Sequence, residues 1–143
     1  MDITLSFELD NIDWNKIAEI FERAPLGTRD PQKLARAAVN SGLVCFAKDG
    51  DEFIGFARAI TDWEFQGAIY DLCILPEYQS HGLGKKIMNA MLEKLKQVNV
   101  ILYAVPGKEG FYKKLGFKPM LTAMGRFKTE TEMIEKGYLE GDR

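Results

Sequence analysis

The chain has 143 residues, of which 46% are hydrophobic, 28% charged and 11% aromatic, enough apolar material for one sizeable core and far from the composition of a disordered segment. A net charge of −2 gives no global electrostatic reason to expect nucleic acid or an anionic membrane as partner. No run approaches the ~18 apolar residues of a membrane span, and the N-terminus lacks the basic region of a signal peptide, so a cytoplasmic protein is expected.

Ile3, Leu5, Phe7 and Leu9 alternate with polar residues, the period-2 pattern of a half-buried strand. From Trp14 the apolar positions move to Ile17, Ala18 and Phe21, an amphipathic helical stripe that Pro25 and Gly27 end. Asp30 as N-cap and Pro31 at the first position announce a second helix, with Leu34, Ala35, Ala38 and Val39 as its buried side and Gly42 closing it. Residues 43–47 and 53–57 flank Lys48-Asp49-Gly50-Asp51, a strong hairpin-turn signal, and a third strand of the meander is predicted over 68–75.

Pro76 stops that strand, and from Leu83 the period is again helical, with Leu83, Ile87, Ala90, Met91, Leu95 and Val98 on one face. A short strand over 100–105 follows, then a short helix ending at Gly116, then a last strand or hairpin within 117–127. Residues 128–143, with Glu130, Glu132, Glu135, Glu140 and Asp142, form a polar tail, either a loose helix or disordered. No repeat or linker interrupts the chain, so one domain over 1–143 is expected. Its strand, long helix, strand crossover demands one parallel pair in an otherwise antiparallel meander. The fold class is α/β in the α+β sense: a mixed, mostly antiparallel central sheet flanked by helices.

In such a sheet, ligands are favoured where a strand feeds a helix N-terminus, here the junction of residues 74–84. It carries Gln79-Ser80-His81-Gly82-Leu83-Gly84, whose two glycines let backbone N–H donors converge on an anion at the positive end of the helix dipole. Alone, such a pair is weak evidence and reads more readily as an ordinary glycine-rich turn. The two cysteines, Cys45 and Cys73, lie in apolar runs without CxxC spacing, and a single histidine completes no zinc site, so reduced buried thiols and no metal are expected.

Taken together, residues 72–84, the long helix, and Gly110-Phe111-Tyr112-Lys113-Lys114-Leu115-Gly116-Phe117 resemble the GNAT superfamily of N-acetyltransferases. Its pyrophosphate loop reads Gln or Arg, two residues, Gly, one residue, then Gly or Ala, and its later helix often reads Phe-Tyr, three residues, Gly-Phe. Residues 55–62 followed by Tyr70-Asp71 further resemble a bacterial branch related to plant organellar arylalkylamine and serotonin acetyltransferases. The resemblance covers almost the whole chain and implies the GNAT-like acyl-CoA acyltransferase fold, acetyl-CoA as cofactor and a small-molecule amine as partner, with a homodimer left open.

It further implies main-chain contacts from Leu72, Cys73 and Ile74 to the pantetheine arm, and pyrophosphate held by the backbone of Gln79, Ser80, His81, Gly82, Leu83 and Gly84. Tyr112 stands where the family has its general acid. The family often has Gly where Ser80 stands and Arg or Lys where His81 stands. Asp62, Glu64 and Asp71 are candidates to bind or deprotonate the amine, with a water chain as the other route. The rival readings are a non-catalytic acyl-CoA-binding regulatory module and an acetyltransferase acting on a protein lysine or N-terminus.

Overall fold

The computed structural model describes residues 1–141, so Asp142 and Arg143 of the tail lie outside the described residues. The chain forms two compact units, Met1–Leu102 and Tyr103–Arg143. The first holds strand β1 (Ile3–Ser6), helices α1 (Trp14–Arg23) and α2 (Pro31–Val39), strands β2 (Gly42–Asp49), β3 (Glu52–Thr61) and β4 (Gln66–Ile74), helix α3 (Leu83–Lys94) and strand β5 (Asn99–Ile101). The strands lie in sequence order in one sheet, antiparallel from β1 to β4 and parallel between β4 and β5. The predicted mixed, mostly antiparallel sheet is therefore present.

Local chemistry explains the elements. The Asp13 carboxylate accepts the Lys16 N–H at the start of α1, and Asp30 accepts the Lys33 N–H at 2.8 Å with Pro31 at the first position of α2. Each cap satisfies a donor that the helix cannot. Ile17, Ile20 and Phe21 are fully buried on the inner side of α1, where the Trp14 ring packs edge-on against Phe46 and Phe56 at centroid distances of 5.8 and 6.3 Å. Burying each such aromatic contributes roughly 1.5–3 kcal/mol. Next to Phe56, the Cβ direction of Gly55 points instead at Ile87 of α3, so α1 and α3 cover opposite faces of the sheet.

Four expectations change in detail. Val39 is 64% exposed, because five residues beyond Leu34 is about 140° round a helix with 3.6 residues per turn. Gly42 opens β2 at φ +97 instead of closing α2, which ends at Val39. On α3, Met88 is fully buried while Ala90 is half-buried. Finally, β5 stops at Ile101 because its partner pairs with it only from Gln66 to Ala68.

The second unit contains helices α4 (Glu109–Lys113) and α5 (Glu130–Glu135), so part of the polar tail is helical. Gly116 follows α4 at φ +94, its N–H bonded to the Lys113 carbonyl while the Phe117 N–H returns to the Tyr112 carbonyl. That pair of bonds is a Schellman closure and needs a residue at ease with positive φ, which is why glycine stands there. The predicted strands within 117–127 are absent among the described residues. Pro119 removes a ladder donor, Thr122 is the sole β-branched residue, and Leu121 and Met124 are each 97% exposed, so the segment has no apolar face to bury in a sheet.

Candidate active site

The β4 to α3 junction is a loop tied down at several points. Pro76–Tyr78 form one turn of 3₁₀ helix, and the Tyr78 hydroxyl donates to Asp49 Oδ2 at 2.6 Å. This bond holds the Asp49 carboxyl below its usual range and pushes the Tyr78 phenol up to about 12. Arg23 pairs with Glu77, and the Gln79 side-chain amide donates to the Ile74 carbonyl at 2.9 Å. The glutamine of the predicted loop thus latches it to the end of β4.

Ser80 then takes φ +66 and Gly82 φ +76. A non-glycine residue in the left-handed region costs roughly 1–2 kcal/mol. Ser80 bears that strain at the position where the resembled family has glycine. Gly82 is the N-cap of α3, no side chain accepts from the first turn, and a Cβ built on Gly82 meets nothing within 4 Å. The opening N–H groups of α3 therefore face free space at the positive end of the helix dipole, with His81, Lys85 and Lys86 exposed beside them. An anion with several acceptor oxygens fits this arrangement.

β4 supplies the second part. Its pairing with β5 ends at Ala68, while the strand itself runs on to Ile74. The Leu75 N–H bonds the Ile54 carbonyl on the β3 side, so by strand alternation the backbone groups of Ile74 and Leu72 face the opposite edge, which no strand pairs and where the Ile74 carbonyl takes the Gln79 amide. Cys73 lies between them with its side chain buried, and burial raises its thiol. An extended, amide-bearing ligand could pair along this edge as an added strand.

The three predicted carboxylates are not gathered at one point. The Asp62 carboxylate accepts the backbone N–H groups of Glu64, Phe65 and Gln66 at 2.7–3.0 Å, which lowers its pKa and makes it the tether of the β3–β4 turn. That turn lies at the other end of β4 from the glycine loop, roughly 25 Å along an extended strand. Glu64 is exposed there, and among the described residues no ion pair or side-chain hydrogen bond reaches its carboxylate. Asp71 sits mid-strand with a side chain only 10% exposed, held by Arg58 and Arg29. Sequence reasoning missed both arginines. Arg58 left a signal, a lone charge inside the apolar run Phe56-Ala57-Arg58-Ala59-Ile60. Arg29, in the α1–α2 loop, left none.

In the second unit, Tyr112 lies on α4, half-buried between the rings of Phe111 and Phe117 at centroid distances of 4.9 and 6.0 Å. Its ring is therefore packed against its apolar neighbours. Burial raises its phenol pKa, so the hydroxyl stays protonated through neutral pH. Among the described residues no group of His, Cys, Asp and Glu is placed to hold a metal ion, and no helix is long and apolar enough to cross a membrane.

Residues 8–117 match the acetyltransferase (GNAT) family. The chain is 33% identical over 123 residues to the uncharacterised N-acetyltransferase ycf52 of Pyropia yezoensis, covering 81% of this chain and 70% of that protein. It is 32% identical over 113 residues to the chloroplastic serotonin N-acetyltransferase 2 of Oryza sativa, covering 74% of this chain and 56% of that one. In structure it resembles a GNAT-family acetyltransferase from Streptococcus pneumoniae at a TM-score of 0.74 and 25% identity, covering 87% and 96% of the two chains. With the loop, the open strand edge and the family's match over most of its length, the chain belongs to the GNAT family of N-acetyltransferases.

Proposed function

We propose that this protein transfers the acetyl group of acetyl-CoA to the primary amine of a small molecule by direct attack in a ternary complex. The observation that carries the reading is the uncapped, glycine-led N-terminus of α3 standing directly after a strand whose outer edge is unpaired. Backbone N–H groups of residues 80–84 would hold the pyrophosphate, the Gln79 N–H being bonded to the Pro76 carbonyl, and the outward-facing main chain of Leu72 and Ile74 the pantetheine amides, that of Cys73 facing β3. When bound, acetyl-CoA supplies an activated acyl carbon on a thiol leaving group.

Only the neutral amine can attack, so an ammonium first gives one proton to solvent water, and the attacking nitrogen loses a second as the N–C bond forms and the C–S bond breaks. Tyr112 stands where the resembled family has its general acid and stays protonated at neutral pH, so it would give the departing sulfur its proton and recover one from the nitrogen through water. Glu64 is the free carboxylate with which an ammonium could pair. The reduced, buried Cys45 and Cys73 suit a reducing compartment, read here as the cytoplasm.

The test is coenzyme A release from acetyl-CoA with a panel of small amines, run beside peptide acceptors and a no-amine control. Amine-dependent release supports the proposal. Tight acetyl-CoA binding with no release for any acceptor would leave a binding module instead, and release for peptides alone would move the acceptor to protein.

A further inference from the structure

At Asp71 three observations meet. Its φ is +64, uncommon for a residue other than glycine, and the β3–β4 register slips there, with Phe56 facing Cys73 but Arg58 facing Tyr70. Asp71 and Leu72 together therefore oppose Ala57, a bulge in β4. Third, the carboxylate takes Arg58 Nε on Oδ2 at 2.6 Å, and on its two oxygens the Arg29 guanidinium at 3.0 and 3.3 Å.

The clamp is itself anchored. Arg58 also donates to Ser41 Oγ at 3.2 Å, and Ser41, 1% exposed, donates to the Ala37 carbonyl of α2. The Arg29 guanidinium lies 4.5 Å from the centre of the Phe21 ring on α1. A left-handed aspartate persists where its surroundings over-determine it, and here two cations drawn from β3 and the α1–α2 loop do so.

We infer that Asp71, gripped by Arg29 and Arg58, is a positioning residue that fixes the β4 bulge and thereby aims the open edge at Leu72 and Ile74 toward the acetyl donor. The inference deepens the proposed function and rests on it. Pairing with β5 ends at Ala68, three residues before Asp71, and the outward-facing groups of Leu72 belong to the second residue of the bulge. Asp71 thus stands where β4 has just parted from its neighbour. Three of its roughly four acceptor sites are taken by two guanidinium groups, so taking a proton from the amine would weaken the clamp.

Asp71→Asn keeps a residue type that tolerates positive φ while removing the charge, and Asp71→Gly keeps the backbone freedom without any side chain. Titration calorimetry should show Asp71→Asn weakening acetyl-CoA binding about tenfold, the usual scale for losing charge-assisted hydrogen bonds. Arg58→Met should give a similar loss that adds little on top of Asp71→Asn, since both break one network. Amide exchange of residues 69–74 should quicken in both variants while β2 stays protected. The acidic limb of the kcat/KM pH profile should remain.

Unchanged donor affinity and exchange in Asp71→Asn and Asp71→Gly would overturn the assignment, as would loss of the acidic limb with donor affinity intact, which marks a base. If Asp71→Asn fails to fold, Asp71→Gly decides the matter by the same readouts. A wild-type protein that binds no acetyl-CoA would remove the proposed function and this role with it. That result is distinct from a wild type that binds and a variant that binds equally well.

Discussion

Tyr112 is packed in the structure, and under the proposed function the same side chain would carry the chemistry. Its ring is wedged edge-on against Phe111 and Phe117, the latter contact closing the Schellman turn at the end of α4. Tyr112→Phe keeps every ring contact and removes only the hydroxyl, so stability and acetyl-CoA affinity should change little. Turnover should fall roughly 10²-fold if general-acid transfer contributes in its usual range. The loss should shrink for acyl donors with a more acidic thiol, which need less protonation. Wild-type turnover in Tyr112→Phe, measured where chemistry limits the rate, would leave solvent as the proton source. The β3–β4 turn separates two carboxylates just as sharply. Asp62 is spent on three backbone donors, whereas among the described residues no ion pair or side-chain hydrogen bond reaches the Glu64 carboxylate, which under the proposed function would pair with an ammonium. Glu64→Gln should therefore raise the KM of a cationic amine and leave that of acetyl-CoA alone. Equal amine kinetics in Glu64→Gln and wild type would remove the turn from the acceptor site.

At the scale of elements, the glycine loop should respond with opposite signs at two neighbouring positions. Gly82→Val forces a β-branched residue into φ +76 and sets a side chain in the free space above the α3 N-terminus, so acetyl-CoA affinity should fall steeply. Ser80→Gly relieves a strain of roughly 1–2 kcal/mol against a chain-entropy cost of roughly 0.5–1 kcal/mol, so it should stabilise slightly. Thermal melting and calorimetry of the two variants check both signs; tight binding in Gly82→Val would move the anion site elsewhere. Elements governed by local rules were legible in the sequence: the Asp30 N-cap, the Asp49-Gly50 turn, the glycine loop and the closure at Gly116. The segment 117–127 was not, because its apolar residues suggested strands and outweighed the local signals of Pro119 and a single β-branched residue, and no partner strand covers Leu121 and Met124.

Across the whole molecule, what the sequence concealed was tertiary. Asp71 read as an acid beside a tyrosine, and only the fold brings Arg29, 42 residues away, and Arg58, 13 away, onto its two oxygens. Asp49 read as a turn residue, and only the fold sets Tyr78 against it. Such pairings also govern how stability varies with pH. Asp49 is depressed first by the Tyr78 hydroxyl, Asp62 by the backbone donors of Gln66, Phe65 and Glu64, and Glu77 by its own N–H and by Arg23. A carboxyl whose folded pKa lies below its unfolded value stabilises above the unfolded pKa, and that stability is lost as pH falls through the folded one. The urea midpoint should therefore drop as pH falls through and below the ordinary carboxylate range. Asp49→Asn and Asp62→Asn should each flatten that slope, while added salt should weaken mainly the exposed Arg23–Glu77 share. Tyr78 acts with the opposite sign at the other end. Its phenol is raised from 10.0 to about 12, so its contribution is complete below pH 10 and lost as pH climbs through about 12. Tyr78→Phe should lower the midpoint at neutral pH and remove this alkaline loss. A Tyr78→Phe protein with the wild-type midpoint at neutral pH and the wild-type alkaline slope would show that the loop is not held to the β2–β3 turn by this bond.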